Sequence, residues 1–213
     1  MKSKIKFPRF TTGIVTVLWA SIAKPSTKFK EEGEYNIKVL LDKAAGEQLK
    51  AQLEPLAKAK YAEAVKDNPK YKAFKITTGI SVLEDDEGNP TDEFYINAKQ
   101  KAVLTSKDKS KTWNITIPVI DAKKNTIVGC KLGKGSKVRV CFDAVPFVMP
   151  SSKVVGISTR LVGVQVIDLV EYSGGVDPEA MGFGEEEGYE ADTTAPAEEG
   201  ADTGGAPAGA GNF

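Results

Sequence analysis

"EYNIKVLLDKAAGEQLKAQLEPLAKAKYAEAVKD", residues 34–67, changes its period partway along. In its first eight residues Tyr35, Ile37, Val39 and Leu41 share one face, with Asn36 and Lys38 on the other. That alternation is the pattern of a half-buried strand. From Asp42 onward Ala, Leu, Lys, Glu and Gln dominate, and Leu49, Leu53, Leu56 and Ala57 recur at helical spacing. Pro55 falls inside that pattern and is expected to kink or divide the helix, and "DNP" closes it. A strand leading straight into the only helix the sequence predicts sets the frame for everything on either side.

On the N-terminal side, "TTGIVTVLWASI" (11–22) is rich in β-branched and aromatic residues and predicts a strand. The polar connector "KPSTKFKEEG" then joins it to the strand at 34–41 as a hairpin. On the C-terminal side strands resume. "KAFKITTGISVL" predicts one, followed by the acidic loop "EDDEGNPTDE". "FYINAKQKAVLT" sets Phe94, Ile96 and Ala98 against Tyr95, Asn97, Lys99 and Lys101. After the turn "SKDKSK", the run "TWNITIPVID" aligns Trp113, Ile115, Ile117 and Val119 as one strand. "SKVRVCFDAVPFVM" alternates Val138, Val140 and Phe142 with Lys137, Arg139 and Cys141. The last strand, "VVGISTRLVGVQVIDLVEY", is interrupted by Gly163, where a bulge or bend is expected. About six to eight strands, one helix and no βαβ repeat predict a mainly β fold. The closest architecture is an OB-fold-like antiparallel barrel with one inserted helix.

Beyond Tyr172 the pattern stops. Residues 173–213 are rich in Gly, Ala, Glu and Pro and poor in β-branched residues, so they are expected to be a disordered acidic C-terminal tail. The expected organisation is a domain at 1–172 and a tail at 173–213. The formal net charge is zero, with 29 Lys+Arg against 29 Asp+Glu, but the charges are segregated. From Glu171 onward there are 11 acidic and no basic residues, so the first 170 carry 29 basic and 29 − 11 = 18 acidic groups, a net of +11. A basic body with an acidic tail points to a polyanionic partner.

The sequence argues against catalysis. It has no histidine, and Cys130 and Cys141 have no ligand cluster around them, so neither a metal nor a cofactor is expected. Cys141, among the apolar residues of a strand, is expected to be a buried, inert thiol. "GCKLGKGSK" (129–137) has three residues between Gly129 and Gly133 where a phosphate loop has four, and Gly135 stands where the hydroxyl belongs. It reads as a tight turn carrying lysines. Glu84, Asp85, Asp86 and Glu87 read as a solvated loop without calcium-loop spacing. No run is long and apolar enough to span a membrane, and no apolar signal core follows the N-terminal lysines, so no membrane partner is expected.

Binding remains. Single strands are held by cations that track phosphates and by rings on which bases stack. The candidates are Trp19, Lys24, Lys28 and Phe29 around the first connector and Tyr95, Lys99 and Lys101 on one strand face. Lys107, Lys109, Lys111 and Trp113 follow in the next turn, and Lys137 and Arg139 lie on a later strand. Trp113, aligned with Ile115 and Ile117, fits core packing as well as base stacking, Trp19 fits either a structural role or a stacking platform, and Tyr35 fits the core.

Three stretches carry a family likeness: "WASIAKPSTKFKEEGEYNIKVLLDK", "GKGSKVRVCFDAVPF" and "GISTRLVGVQVIDLVEY", the last with Arg160-Leu161 followed by Val164-Gln165-Val166-Ile167. In these the chain resembles the single-stranded-DNA-binding proteins of tailed bacteriophages. The resemblance implies a barrel that coats exposed strands during phage DNA replication and recombination, in the cytoplasm of the infected bacterial host. It also implies an acidic tail ending in an aromatic residue that docks replication proteins such as a DNA polymerase or helicase. Here that role falls to Glu185, Glu186, Glu187, Glu198, Glu199, Asp202 and Phe213. Burying one aromatic anchor contributes roughly 1.5–3 kcal/mol, which suits weak, reversible docking. A flexible tail of about forty residues reaches roughly 35 Å, enough to compete with DNA for the body's own groove. Duplex DNA and a second copy of the chain stay open as partners. The alternative is a non-enzymatic assembly or interaction factor whose basic body binds no DNA.

Overall fold

The computed structural model describes residues 6–172 except 29, 86, 107 and 109. Phe29, Lys107, Lys109 and the whole proposed tail, Phe213 included, therefore lie outside the described residues. Among the described residues twelve elements follow one another: β1 (Arg9–Thr11), β2 (Val15–Ser26), β3 (Glu34–Leu41), α1 (Lys43–Asp67), β4 (Lys75–Thr77), β5 (Ile80–Glu84), β6 (Pro90–Lys101), β7 (Val103–Thr105), β8 (Thr112–Asn114), β9 (Val119–Ile120), β10 (Lys137–Met149) and β11 (Val154–Asp168). Short 3₁₀ turns occupy Pro69–Ala73 and Pro150–Ser152.

Five of these strands close on themselves. β10 pairs with β2, β2 with β3, β3 with β6, β6 with β11, and β11 with β10. All the contacts are antiparallel except β6 with β11, which meet in parallel at Lys99 and Arg160. This closed circuit is the predicted OB-type barrel, with the helix inserted between its second and third strands. The inner residues of the alternating strands fill it: Val17, Ile37, Val39, Ile96, Ala98, Val138, Val140 and Phe142 are completely buried. Tyr35 joins them, as its alternation predicted.

α1 packs against the barrel through Leu49, Leu53 and Ala57. Asp42 caps its start, its carboxylate accepting from the Ala45 N–H at 2.8 Å, a contact of about 1 kcal/mol. Gly46 lets the helix approach β6, because a Cβ there would stand 2.4 Å from the Phe94 ring. The helix runs unbroken through Pro55, so the proline does not divide it. Pro55 lies on the exposed side between buried Leu53 and Ala57, where water can take the carbonyl that proline leaves unbonded. Glu54 and Lys58 pair across it at 2.8 Å.

Two predicted strands are broken instead. "KAFKITTGISVL" becomes β4, parallel to β11, and β5, antiparallel to β6. Between them Gly79 adopts φ +79°, where a Cβ would stand 2.8 Å from the Ile157 carbonyl, so the chain turns from one barrel edge to another. "TWNITIPVID" yields only β8 and the two residues of β9. The Ile115 N–H turns back to the Ala102 carbonyl at 2.7 Å, and Pro118 offers only its carbonyl, to Val164 at 3.0 Å. β6 starts earlier than expected, at Pro90, shortening the acidic loop. The bulge at Gly163 is present: Cys141 faces Gly163 and Phe142 faces Leu161, leaving Val162 as the extra residue. The turn at 133–136 is also as read, with Gly135 at φ +94° and Ser136 buried. Cys141 is not the buried thiol. It points outward and is half-buried, while Cys130 is buried, and burial raises its pKa.

Candidate nucleic-acid interface

The outer face of β2, β3 and β6 is set by the same alternation that fills the core. Cross-strand pairing builds it in rows: Thr16, Leu40 and Tyr95; Trp19, Lys38 and Asn97; Ser21, Asn36 and Lys99. The last row continues over the barrel to Arg160, Asp143 and Arg9.

Trp19 reaches this face by an irregularity. Strict alternation from buried Val17 would send it into the core. The β2–β3 pairing instead passes from Val17–Val39 directly to Trp19–Lys38, leaving Leu18 as an extra residue. A one-residue bulge inverts every later side chain, and the indole comes out 49% exposed. Beside it Lys38 holds its ammonium 4.1 Å from the centroid of the Tyr95 ring, a cation–π contact. The face therefore presents one open ring, one ring under a lysine, and cations between them.

Several of those cations are already engaged. Glu34 pairs with Lys30 and, at 3.7 Å, with Lys99. Glu32 lies 3.9 Å from Lys101. The lysine side of each pair is exposed, and such surface pairs are weak and yield readily to a competing phosphate. The Asp143 carboxylate is different: it is covered by Arg9 at 2.7 Å and Arg160 at 2.8 Å, and only 7% of its side chain is exposed. The Arg9 hydrogen bond, helped by Arg160, holds its carboxyl below the usual range despite burial. Arg160 also stands 5.0 Å from the Phe7 ring. With two guanidinium groups on one carboxylate, this cluster keeps a net positive charge.

Asn36 and Asn97 sit diagonally at the centre of this face, and the Oδ1 atom of each is buried without a hydrogen-bond partner. A buried acceptor left unpaired costs about 1–3 kcal/mol. Both residues lie within the β3–β6 ladder, and the Asn97 carbonyl accepts from Thr159 Oγ1 at 3.0 Å.

Three projections frame the face. The β2–β3 loop carries Lys28 and Lys30 and is tied to the end of β6 by the Ala102 N–H on the Gly33 carbonyl at 3.0 Å. The β7–β8 hairpin springs from that same end, pairing Leu104 with Trp113, which is 50% exposed. Hydrogen bonds from Ser106 and Ser110 pull the Asp108 carboxyl in its turn down to about 2. On the other side the β10–β11 hairpin extends past the barrel, enclosing an open groove of about 570 Å³ with Gly79, Asn97, Lys99, Phe147, Met149 and Thr159 among its walls. In OB barrels the loops joining strands 1–2 and 4–5 flank the binding face, and the β2–β3 loop and this hairpin occupy those places.

The structure thus brings Trp19, Tyr95, Lys99 and Lys101 onto one face, with Lys28 in its bordering loop and Lys111 and Trp113 on the adjacent hairpin. Lys24 lies further along β2, in a groove of about 490 Å³ with Ile22, Leu132 and Tyr172. Lys137 donates to Thr16 Oγ1 at 2.8 Å, at the far end of the first row. Arg139 belongs elsewhere, lining a groove with Gln48 and Gln52 of α1 at the helix-capped end. The candidates missed from sequence are Asn36, Lys38, Asn97, Arg9 and Arg160. Alternation already pointed Asn36, Lys38 and Asn97 outward, whereas the Arg9–Asp143–Arg160 cluster joins three strands and has no local signal. Among the described residues no group of three or more His, Cys, Asp or Glu could hold a metal, and no helix is long and apolar enough to cross a membrane.

No family model and no curated protein matches the sequence. Solved structures do. The crystal structure of gp2.5, a single-stranded DNA binding protein encoded by bacteriophage T7, aligns with a TM-score of 0.65 at 22% identity, covering 88% of this chain and 100% of that one. The single-stranded DNA-binding protein from bacteriophage Enc34 aligns at 0.50 and 15% identity, over 82% and 90% of the two chains. The same Enc34 protein in complex with ssDNA aligns at 0.50 and 16% identity, over 78% and 89%. The chain therefore has the fold of the phage single-stranded DNA-binding proteins, the family that its sequence resembles.

Proposed function

We propose that this protein binds single-stranded DNA without strict sequence preference, along the outer face of β3 and β6. Phosphates draw Lys38 from the Tyr95 ring and Lys99 and Lys101 from Glu34 and Glu32, while Arg160 remains as a fixed cation. Bases then stack on Trp19 and on the uncovered Tyr95. The observation that carries this reading is Trp19: a bulge turns a ring that would otherwise enter the core outward beside a lysine. The protein acts by binding alone, with no residue assigned to a reaction. In the cell it coats and protects exposed strands in phage DNA replication, recombination and repair, in the host cytoplasm. The acidic tail, 173–213, recruits replication proteins and competes for the DNA groove.

One observation favours the alternative of a protein-interaction or assembly factor: Glu32, Glu34 and Asp143 neutralise part of the face. A titration of a mixed-sequence, unstructured oligonucleotide across salt separates the two. Neutralising three or four phosphates gives a log–log salt slope of about −2 to −3. Removing residues 173–213 should tighten binding at low salt. No binding at low salt, with or without the tail, would leave the assembly reading.

A further inference from the structure

The two orphan acceptors at the centre of the face ask for hydrogen-bond donors. Their cross-strand neighbours are Ser21 and Lys99 for Asn36 and Lys38 for Asn97. Ser21 donates to the Lys24 carbonyl at 2.8 Å, Lys38 lies over Tyr95, and Lys99 reaches towards Glu34. Each of these three cross-strand donors is therefore turned away. A base stacked on Trp19 would lie one row position from Lys38 and two from Asn97. Stacking is tolerant of base identity; an acceptor that lacks a donor is not, because only some base edges offer one at the right place.

Resting on the single-strand reading above, we infer that Asn36 and Asn97 are base-reading residues whose Oδ1 atoms accept from exocyclic amino groups, favouring amine-bearing bases over thymine. DNA binding draws Lys38 and Lys99 onto phosphates and opens both amides to the base edge. Cytosine presents an N4 amine where thymine presents the O4 acceptor, so the two pyrimidines, which both stack weakly on themselves, give the cleanest comparison.

The experiment titrates full-length protein with oligo(dC) and oligo(dT) of equal length at neutral pH, alongside Asn36→Leu and Asn97→Leu. The wild type should bind oligo(dC) about three- to tenfold more tightly, one net hydrogen bond or so. Each leucine variant should reduce that ratio toward one. The same variants should raise the thermal midpoint of the DNA-free protein, since an apolar side chain of similar size removes an unpaired acceptor. If a leucine variant fails to fold, the alanine variant serves the same comparison of ratios. Equal binding of the two oligonucleotides by the wild type, or an unchanged dC preference in the variants, overturns this inference and leaves single-strand binding intact. No binding of either oligonucleotide overturns both.

Discussion

The inner and outer faces of the β3–β6 pair are made by alternate residues of the same two strands, yet they are built to opposite specifications. Inside, Ile37, Val39, Ile96 and Ala98 are completely buried and carry no polar side-chain atom. Outside, two amide oxygens lack partners and a lysine rests on a ring, and beside them the Trp19 indole of β2 stands open to solvent. The inner face supplies stability, at roughly 1.5–3 kcal/mol for each large aliphatic side chain removed from water. The outer face forgoes some stability and keeps unused bonding capacity. Local departures from the rules of good packing mark sites of function, and here they gather on one side of one sheet.

The largest expected effect tests the inner face. Ile96→Ala should cost about 2–5 kcal/mol in denaturant unfolding while the remaining folded protein binds oligonucleotide as the wild type does. A collapse of affinity at unchanged stability would break the division between the faces.

Asp143 is the exception that sharpens the comparison, an outer-face group buried for stability. Asp143→Asn should cost about 1.5–3 kcal/mol, the range for hydrogen bonds to charged groups. Its carboxyl titrates below the usual range because Arg9 and Arg160 bond the charged form. Its contribution is therefore complete above the ordinary carboxylate pKa of about 4 and is lost as pH falls through the depressed folded value. Unfolding free energy followed from pH 6 into acid should show that loss in the wild type and a smaller one in Asp143→Asn.

Trp19→Ala should leave the unfolding midpoint nearly unchanged and weaken oligonucleotide binding roughly 5- to 150-fold, the loss of one stacked base. Destabilisation without a binding defect would return Trp19 to the core. The smallest effect belongs to Glu34→Gln. Releasing Lys30 and Lys99 should tighten binding about two- to fivefold at low salt and leave little difference at high salt.

Much of this was legible in the sequence because burial imposes a period. The alternation at 34–41 gave β3 and its two faces, Asp42 marked the helix start, and Gly163 marked a bulge. What escaped depends on contacts between distant segments. Nothing local tells that β4 and β5 part at Gly79 to pair with different strands, or that Pro55 sits where solvent tolerates it. Trp113 looked aligned with Ile115 and Ile117 because the chain's turn toward Ala102 is invisible in composition. The Trp19 bulge is the costliest omission: it lies in register against β3, and register is a property of two strands. Arg9, Asp143 and Arg160 meet only once the barrel is closed.

The most direct test uses that indole as its own reporter. In Trp113→Phe the remaining tryptophan is Trp19, and its fluorescence can be followed as a mixed-sequence single-stranded oligonucleotide is added at low salt. Bases stacking on the outer face should quench it to a saturable plateau that added salt reverses. Strand binding that leaves the Trp19 emission unaltered would contradict the assignment of this face as the one that holds DNA.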